Sequence, residues 1–109
     1  MKKLLTRSEE LILLAVWRLQ EDAYGTSVRA QLEESTGQSW SIGKVYVPLE
    51  KLTKYGYLSS RQAPPTDERG GRRKRYFRLT KRGVAALNEV RQIHQTMWEG
   101  LPVLSAGGA

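Results

Sequence analysis

The chain has 109 residues, of which 39% are hydrophobic and 27% charged, a composition typical of one globular domain and not of a disordered chain. It contains no cysteine, which excludes disulfides and cysteine-ligated zinc and fits a reducing cytoplasm. The net charge is +7, and all of this excess lies in residues 61–82, which contain nine Lys or Arg and two Asp or Glu. Such a concentration of charge is typical of a surface that binds a polyanion.

The first residues, MKKLLTRSEELILLAVWRL, superficially resemble a signal peptide because basic residues precede an apolar run. Charged residues interrupt that run, however, and no small-residue cleavage site follows it. No segment approaches the ~18 uninterrupted apolar residues of a membrane span. We therefore expect a cytoplasmic protein without a membrane partner.

Two helices are predicted at the start of the chain. Thr6 and Glu9 have the spacing of a capping box, and the apolar residues that follow have helical period, which predicts a first helix over about 7–20 with Leu11 on its apolar face. A second helix is expected over about 26–35, and Gly37 is suited to end it.

The third predicted helix separates an apolar face from a basic one. Ser41 is a suitable N-cap, and an inward stripe follows at helical spacing, formed by Ile42, Val45, Leu49 and Leu52. The opposite face has Lys44, Val47, Lys51 and Lys54, with Tyr46 at the border. Pro48 should remove one hydrogen bond within this helix. Either the first turn is irregular or the helix begins nearer Lys44, and the sequence leaves both possibilities open.

After Gly56 the apolar period changes from that of a helix to that of a strand. YLSSRQA and RYFRL are predicted strands, and the intervening PPTDERGGRRK is predicted to be the long tip of a hairpin. Thr80 can cap a final helix that continues to about residue 100. We expect residues 1–79 to form one domain, 80–101 a dimerisation helix and 102–109 a disordered tail.

Three helices, a hairpin and a closing helix form the plan of a winged helix-turn-helix, a mainly α fold with a β-hairpin. In this fold the third helix enters the major groove of DNA and the wing reaches the flanking backbone or minor groove. We therefore predict DNA contacts from Ser41, Val47 and the three lysines of the third helix. The predicted contacts of the wing are Arg69, Arg72, Arg73, Lys74 and Arg75.

The final helix is predicted to form a seam with a second copy of the chain. Its apolar residues recur at alternating spacings of four and three, as in a pair of helices. The predicted dimer interface consists of Leu11, Leu87, Val90, His94, Met97, Trp98 and Leu101. Alternatively, this helix packs only on the first helix of its own chain. A two-fold dimer implies a palindromic operator.

Catalytic function is not expected. One histidine, no cysteine and no cluster of His, Asp and Glu exclude the usual zinc, Cys-His and Ser-His-Asp arrangements. We predict no catalytic residue, no metal site and no cofactor. The alternative to a sequence-specific DNA-binding regulator is a basic RNA-binding or nucleoid-type module, but the exposed aromatic platform or GXXG clamp of many RNA binders is not evident.

Three motifs make the chain resemble the PadR family of bacterial transcriptional regulators. They are AYG at the start of the second helix, GKVYVPLEKLTKYGY in the third and RYFRLTKRG at the closing strand, and the resemblance extends over about residues 6–101. It implies a dimeric winged-helix repressor or regulator of the short type, with one C-terminal dimerisation helix. It also implies that Tyr46 and the basic residues around it meet the DNA backbone.

The chain departs from the family pattern after this tyrosine. Family members commonly have proline directly after it, or a small polar residue two positions on, whereas here Val47 follows and Pro48 comes second. The operator sequence is therefore left open. The family includes members that respond to phenolic acids or hydrophobic drugs in a pocket at the dimer interface. Trp17 and Trp98 are candidates for lining such a pocket, although tryptophan on an amphipathic helix more often has a packing role.

Overall fold

A computed structural model of the chain describes residues 4–63 and 74–102. The chain forms helices α1 (Arg7–Leu19), α2 (Gly25–Thr36) and α3 (Ile42–Lys54), strands β1 (Leu58–Gln62) and β2 (Arg75–Leu79), and a final helix, α4 (Lys81–Trp98). One 3-10 turn, Gln20–Asp22, follows α1. The predicted winged helix-turn-helix fold is confirmed, and every predicted helix and strand is present within a few residues of its expected bounds.

The ends of the helices follow from local hydrogen bonds that the sequence predicted. The Thr6 hydroxyl accepts from the Glu9 N–H at 3.1 Å, and the Glu9 carboxylate accepts from the Thr6 N–H at 2.8 Å, so the capping box is complete. Gly37 ends α2 with φ of 68°, a left-handed conformation that costs glycine little. The Ser41 hydroxyl accepts from the Lys44 N–H at 3.2 Å and starts α3.

The core lies among α1, α2, α3 and the inner face of the hairpin. Its largest fully buried side chains come from each of these elements and are Ile12, Leu13, Val16, Val28, Leu32, Val45, Leu49, Leu52 and Leu58. Phe77 of β2 covers the same cluster from the wing. Because α3 contributes one side of this core, its position relative to the wing is set by packing and not by a flexible connection.

The two strands form an antiparallel hairpin that is attached to the start of α2. The register pairs Leu58 with Leu79 and Ser60 with Phe77, so these four side chains lie on the inner face. On its other edge β2 makes a bridge to Tyr24, and the Phe77 N–H donates to the Ala23 carbonyl at 2.8 Å. The two strands of the wing are therefore hydrogen-bonded to each other, and β2 is also hydrogen-bonded to the segment between α1 and α2.

The expectation that Ile42 lies in the inward stripe of α3 is wrong. Its side chain is 61% exposed, whereas Val45, Leu49 and Leu52 are fully buried. The angular position of Ile42 is the expected one, but it is the first residue of the helix and lies beyond the edge of the core. The helix begins at Ile42 and contains Pro48 in its interior, so the alternative of a start nearer Lys44 is wrong.

The start of α4 packs directly on the backbone that leads into β1. Gly83 is buried, and a Cβ at this position would overlap the Tyr57 carbonyl oxygen and contact the Leu79 side chain. The Thr80 hydroxyl caps α4 by accepting from the Gly83 N–H at 3.0 Å and donates to the Gly56 carbonyl at 2.5 Å. The absence of a side chain at residue 83 therefore allows α4 to approach the hairpin.

Replacing Gly83 with alanine is expected to destabilise the fold, although alanine is the better helix former by about 1 kcal/mol. The new methyl group would overlap a backbone oxygen that no rotamer change can move, an overpacking that costs about 1–3 kcal/mol. Gly43→Ala in α3 is the matched control, because a Cβ there meets no atom within 4 Å and the φ is not positive. We expect this control to stabilise the protein by about 0.5–1 kcal/mol in urea unfolding. Equal effects of the two substitutions would contradict the role assigned to Gly83.

Among residues 4–63 and 74–102, no helix is long and apolar enough to cross a membrane.

Candidate nucleic-acid interface

The outer face of α3 is exposed and basic. Lys44, Lys51 and Lys54 all lie on the solvent side, opposite the buried stripe, and Val47 between them is 65% exposed. Because Val47 is exposed among the lysines, this face combines ammonium groups with an apolar side chain that can contact thymine methyl groups. The four side chains that the sequence placed on this face are therefore together on one accessible surface.

Ser41 and Tyr46 lie at the margins of that face. The Ser41 hydroxyl is engaged as the N-cap of α3, so its predicted DNA contact would have to use the remaining hydrogen-bonding capacity of that oxygen. Tyr46 is 42% exposed, and its hydroxyl end lies against Gly25 at the start of α2. The border position predicted for Tyr46 agrees with this partial exposure.

The turn between α2 and α3 is held by a residue that the sequence analysis did not identify, Trp40. Its side chain is 9% exposed, and its indole N–H donates to the Thr36 hydroxyl at 3.1 Å. Its backbone N–H donates to the Glu33 carboxylate at 3.0 Å, and its carbonyl accepts from Arg29 at 2.6 Å. The Arg29 and Glu33 side chains of α2 thus fix the backbone directly before the Ser41 cap, and this orients α3. A tryptophan in a short polar turn was the signal available in the sequence.

Two of the predicted wing contacts, Lys74 and Arg75, lie within the described residues, and both have partners within the chain. The Arg75 guanidinium forms an ion pair with Glu50 of α3, donates to the Ser60 hydroxyl at 3.1 Å and lies 5.1 Å from the centre of the Phe77 ring. The Lys74 ammonium lies 4.4 Å from the centre of the Tyr24 ring. The predicted contacts Arg69, Arg72 and Arg73 lie outside the described residues. Arg75 therefore connects the wing to α3, and Glu50 is an acidic residue at the edge of the basic face.

Two further arginines of the basic segment share one acidic partner. Arg61 and Arg78, on the outer face of the hairpin, lie 3.9 Å and 3.3 Å from the Glu21 carboxylate. All three side chains are well exposed, and exposed ion pairs contribute only about 0–1 kcal/mol. These arginines can therefore exchange Glu21 for a phosphate at little cost, although the sequence had not indicated an internal partner for them.

The aromatic side chains of the hairpin are occupied by one another and by cations. The rings of Tyr24 and Tyr76 meet edge to face, with centres 5.5 Å apart and planes at 68°. The Arg61 guanidinium lies 4.9 Å from the Tyr76 ring centre. With Lys74 over Tyr24, neither ring is an open surface on which an RNA base could stack.

The predicted dimer seam on α4 divides into two parts. Gly83, Leu87 and Val90 face the body of the same chain: Gly83 and Val90 are buried, and Leu87 packs on the core. Leu11 of α1 also packs on the core, and the His94 ring nitrogen lies 3.4 Å from the Glu10 carboxylate. This part of the seam is covered within one chain, as the alternative interpretation required. The continuation of the same stripe is exposed and consists of Met97 at 70% and Trp98 at 55%. Leu101 is also exposed, but it follows the end of α4 and is not on the helix.

A groove of about 470 Å³ lies between α1 and α4. Its apolar walls come from Leu14, Trp17, Val84 and Leu87, and its polar side chains include Arg91 and Glu10. Of the two tryptophans named as candidates for lining an effector pocket, Trp17 lines this groove and Trp98 does not. No group of three or more His, Asp or Glu side chains within the described ranges is arranged to hold a metal ion. The effector remains a prediction.

Residues 13–89 match the model of the Transcriptional regulator PadR-like family. Among solved structures, a PadR-like transcription factor from Bacteroides fragilis has a TM-score of 0.69 at 23% identity, with 85% of this chain and 87% of that chain covered. A PadR family regulator from hypervirulent Clostridium difficile R20291 has a TM-score of 0.68 at 18% identity, covering 84% and 91%. The Bordetella bronchiseptica regulator BpsR, whose DNA binding is regulated by 6-hydroxynicotinic acid, has a TM-score of 0.63 at 20% identity, covering 91% and 69%. No curated protein matches the chain by sequence.

Proposed function

The chain belongs to the PadR-like family of transcriptional regulators, and from this premise we propose that it is a sequence-specific DNA-binding regulator that acts as a homodimeric repressor. The observation that carries the proposal is the exposed face of α3. Lys44, Val47 and Lys51 project from a helix that is anchored on its other side by three fully buried residues, so these side chains are presented on a rigid support. This face fits the major groove of DNA, which admits one α-helix.

The wing supports the proposal through its charge. Residues 61–82 contain the whole net positive charge of the protein, and Arg75 joins this segment to Glu50 of α3. With α3 in the major groove, the hairpin would lie beside the flanking backbone, where lysine and arginine neutralise phosphates and release counterions. Arg69, Arg72 and Arg73 are proposed to act in this way, on the basis of the sequence alone.

RNA binding driven mainly by charge is the alternative function, and the geometry favours it less. Proteins that read single-stranded RNA commonly stack bases on exposed aromatic rings. Here Tyr24 and Tyr76 contact each other and are flanked by Lys74 and Arg61. A helix with one accessible basic face and a fixed orientation is better suited to a duplex groove.

Dimerisation is proposed from the exposed part of the α4 stripe. Met97 and Trp98 continue the line of residues that packs within the chain, and Leu101 follows directly after the helix. All three side chains are exposed to solvent in the single chain. Leu14, Trp17, Val84 and Ile93 are exposed on the neighbouring surfaces of α1 and α4. Apolar residues concentrated in this way mark an interaction surface, and a second copy related by two-fold symmetry presents the same stripe in return. Such a dimer would place two α3 helices about one DNA turn, ~34 Å, apart on a palindromic operator and would block transcription by occupying it.

The test of DNA recognition is to select duplexes from a random pool with the full chain and to compare affinity for the selected operator, random duplex and RNA. We expect Lys44→Ala to cost about 1–3 kcal/mol on the operator and less on random duplex, because Lys44 lies near the N-terminus of α3, where base edges are read. Lys51→Ala is expected to weaken all duplexes alike and to reduce the slope of log K against log salt by about 0.9, the effect of one phosphate contact.

Arg18→Ala is the matched control, since Arg18 is an exposed cation on α1 and not on α3 or the wing. We expect operator affinity and salt slope to be unchanged in this variant. Failure to enrich any sequence, together with equal binding to RNA and random duplex, would favour the electrostatic module instead.

A further inference from the structure

The glycine of the AYG segment, at the start of α2, packs against a side chain of α3. Gly25 is the first residue of α2 and is buried, and the hydroxyl end of the Tyr46 ring lies directly over it. A Cβ at residue 25 would overlap the hydroxyl oxygen and two carbons of that ring. α2 and α3 therefore meet here through a glycine and an aromatic side chain.

The backbone does not require glycine at this position. Among the described residues, the glycines with positive φ are Gly37, Gly56 and Gly100, so Gly25 has a conformation that alanine can adopt. Within a helix alanine is more favourable than glycine by about 1 kcal/mol. Local stability thus favours a side chain at residue 25, and the three atoms nearest to such a Cβ, all at overlapping distance, belong to Tyr46.

We propose that Gly25 is a positioning residue for DNA binding: its missing side chain allows the Tyr46 ring to rest on the start of α2, which fixes the ring at the border of the basic face of α3. The ring is 42% exposed, so one side is held by Gly25 while the remainder is accessible to a ligand. A side chain at residue 25 would force the ring outward or push α2 and α3 apart. Either change moves the surface that meets DNA.

This inference rests on the proposed function, because it assumes that Tyr46 and the α3 face bind DNA. It differs from that function in assigning a part to a residue that cannot itself contact DNA through a side chain. Although Gly25 and Tyr46 are far apart in the sequence, they pack against each other where α2 meets α3.

The experiment is a double-mutant cycle with Gly25→Ala, Tyr46→Ala and the combination of the two, measured by affinity for the selected operator and by thermal unfolding. We expect Gly25→Ala to reduce operator affinity on the order of tenfold, as for coupled residues in contact. In the Tyr46→Ala background the same substitution should change affinity little and should not lower the melting temperature, because the methyl group then has space. Tyr46→Phe keeps the ring on Gly25 and removes only the hydroxyl, so it should retain the fold and separate ring placement from hydrogen bonding.

Each outcome decides the proposal. Operator binding by Gly25→Ala at the wild-type level, or an equal loss in both backgrounds, would overturn it. If Gly25→Ala does not fold, recovery of the fold in the double variant supports the contact with Tyr46, and a double variant that also fails to fold refutes it. If the wild-type chain selects no duplex, the proposed function and the positioning role both fail, while the unfolding cycle still shows whether Gly25 and Tyr46 are coupled.

Discussion

Replacing Met97 with glutamate is expected to convert the protein from a dimer to a monomer without unfolding it. Met97 is 70% exposed in the single chain, so a charged residue there costs the isolated fold little. In a dimer the same carboxylate would lie within the apolar stripe formed with Trp98 and Leu101, where burying an unpaired charge is strongly unfavourable. Sedimentation at micromolar concentration should therefore show a dimer for the wild type and a monomer for the variant.

The same substitution should lower operator affinity by about 10³-fold or more, to the level of non-specific binding, because a monomer can occupy only one half-site at a time. Gln92→Glu is the matched control: it adds the same charge to an exposed position of α4 on the side facing away from this stripe. We expect it to remain a dimer with full affinity. A wild-type chain that sediments as a monomer would refute the dimer and the palindromic operator together.

Replacing Trp40 with alanine is expected to cost about 3–5 kcal/mol of the free energy of unfolding, the range for loss of a large aromatic side chain from a core. Trp40 is nearly buried, and its indole N–H is bonded to Thr36. Since a domain of this size has a total stability of about 5–15 kcal/mol, the variant would lose a large fraction of it. Trp40→Phe should lose much less, because the ring still fills most of the space and only the hydrogen bond to Thr36 is removed.

The free energy of unfolding is measured in urea. The control is Tyr55→Ala, which removes an aromatic side chain that is exposed and directly follows α3. We expect the control to change stability by less than about 1 kcal/mol. DNA binding should weaken in Trp40→Ala even where the protein remains folded, because the bonds that Glu33 and Arg29 make to the Trp40 backbone depend on the placement of this turn. A variant as stable as the wild type would show that the turn does not hold α3.

The distribution of charge and apolar residues along the sequence was sufficient to predict the order of elements and which side of α3 is exposed and basic. Helical period determines which residues share a face, and this property is local, so Val45, Leu49 and Leu52 were assigned to the core and Lys44, Val47 and Lys51 to the surface. The caps at Thr6, Ser41 and Thr80 are also local, since each side chain bonds a backbone group three residues away.

The tertiary structure decided the properties that depend on residues distant in the chain. Ile42 has the correct phase for the core but lies beyond its edge, and only the arrangement of the elements shows where that edge is. The first half of the α4 stripe packs on its own chain and the second half does not, because α4 extends past the body that α1 and the hairpin provide. Periodicity gives the direction of a side chain, but not what lies in that direction.

The same reason applies to the contacts that orient the basic face of α3. Glu50 and Arg75, Gly25 and Tyr46, and Arg29 and Trp40 are pairs brought together by the crossing of elements, at separations of 11 to 25 residues. Neither member of such a pair has a local pattern that identifies the other, because its role arises from the way in which a helix meets another helix, a strand or a turn. The sequence alone determined the fold class, the basic segment and the exposed basic face of α3. Packing determined how that face is held, which charges are paired within the chain and which part of α4 remains exposed.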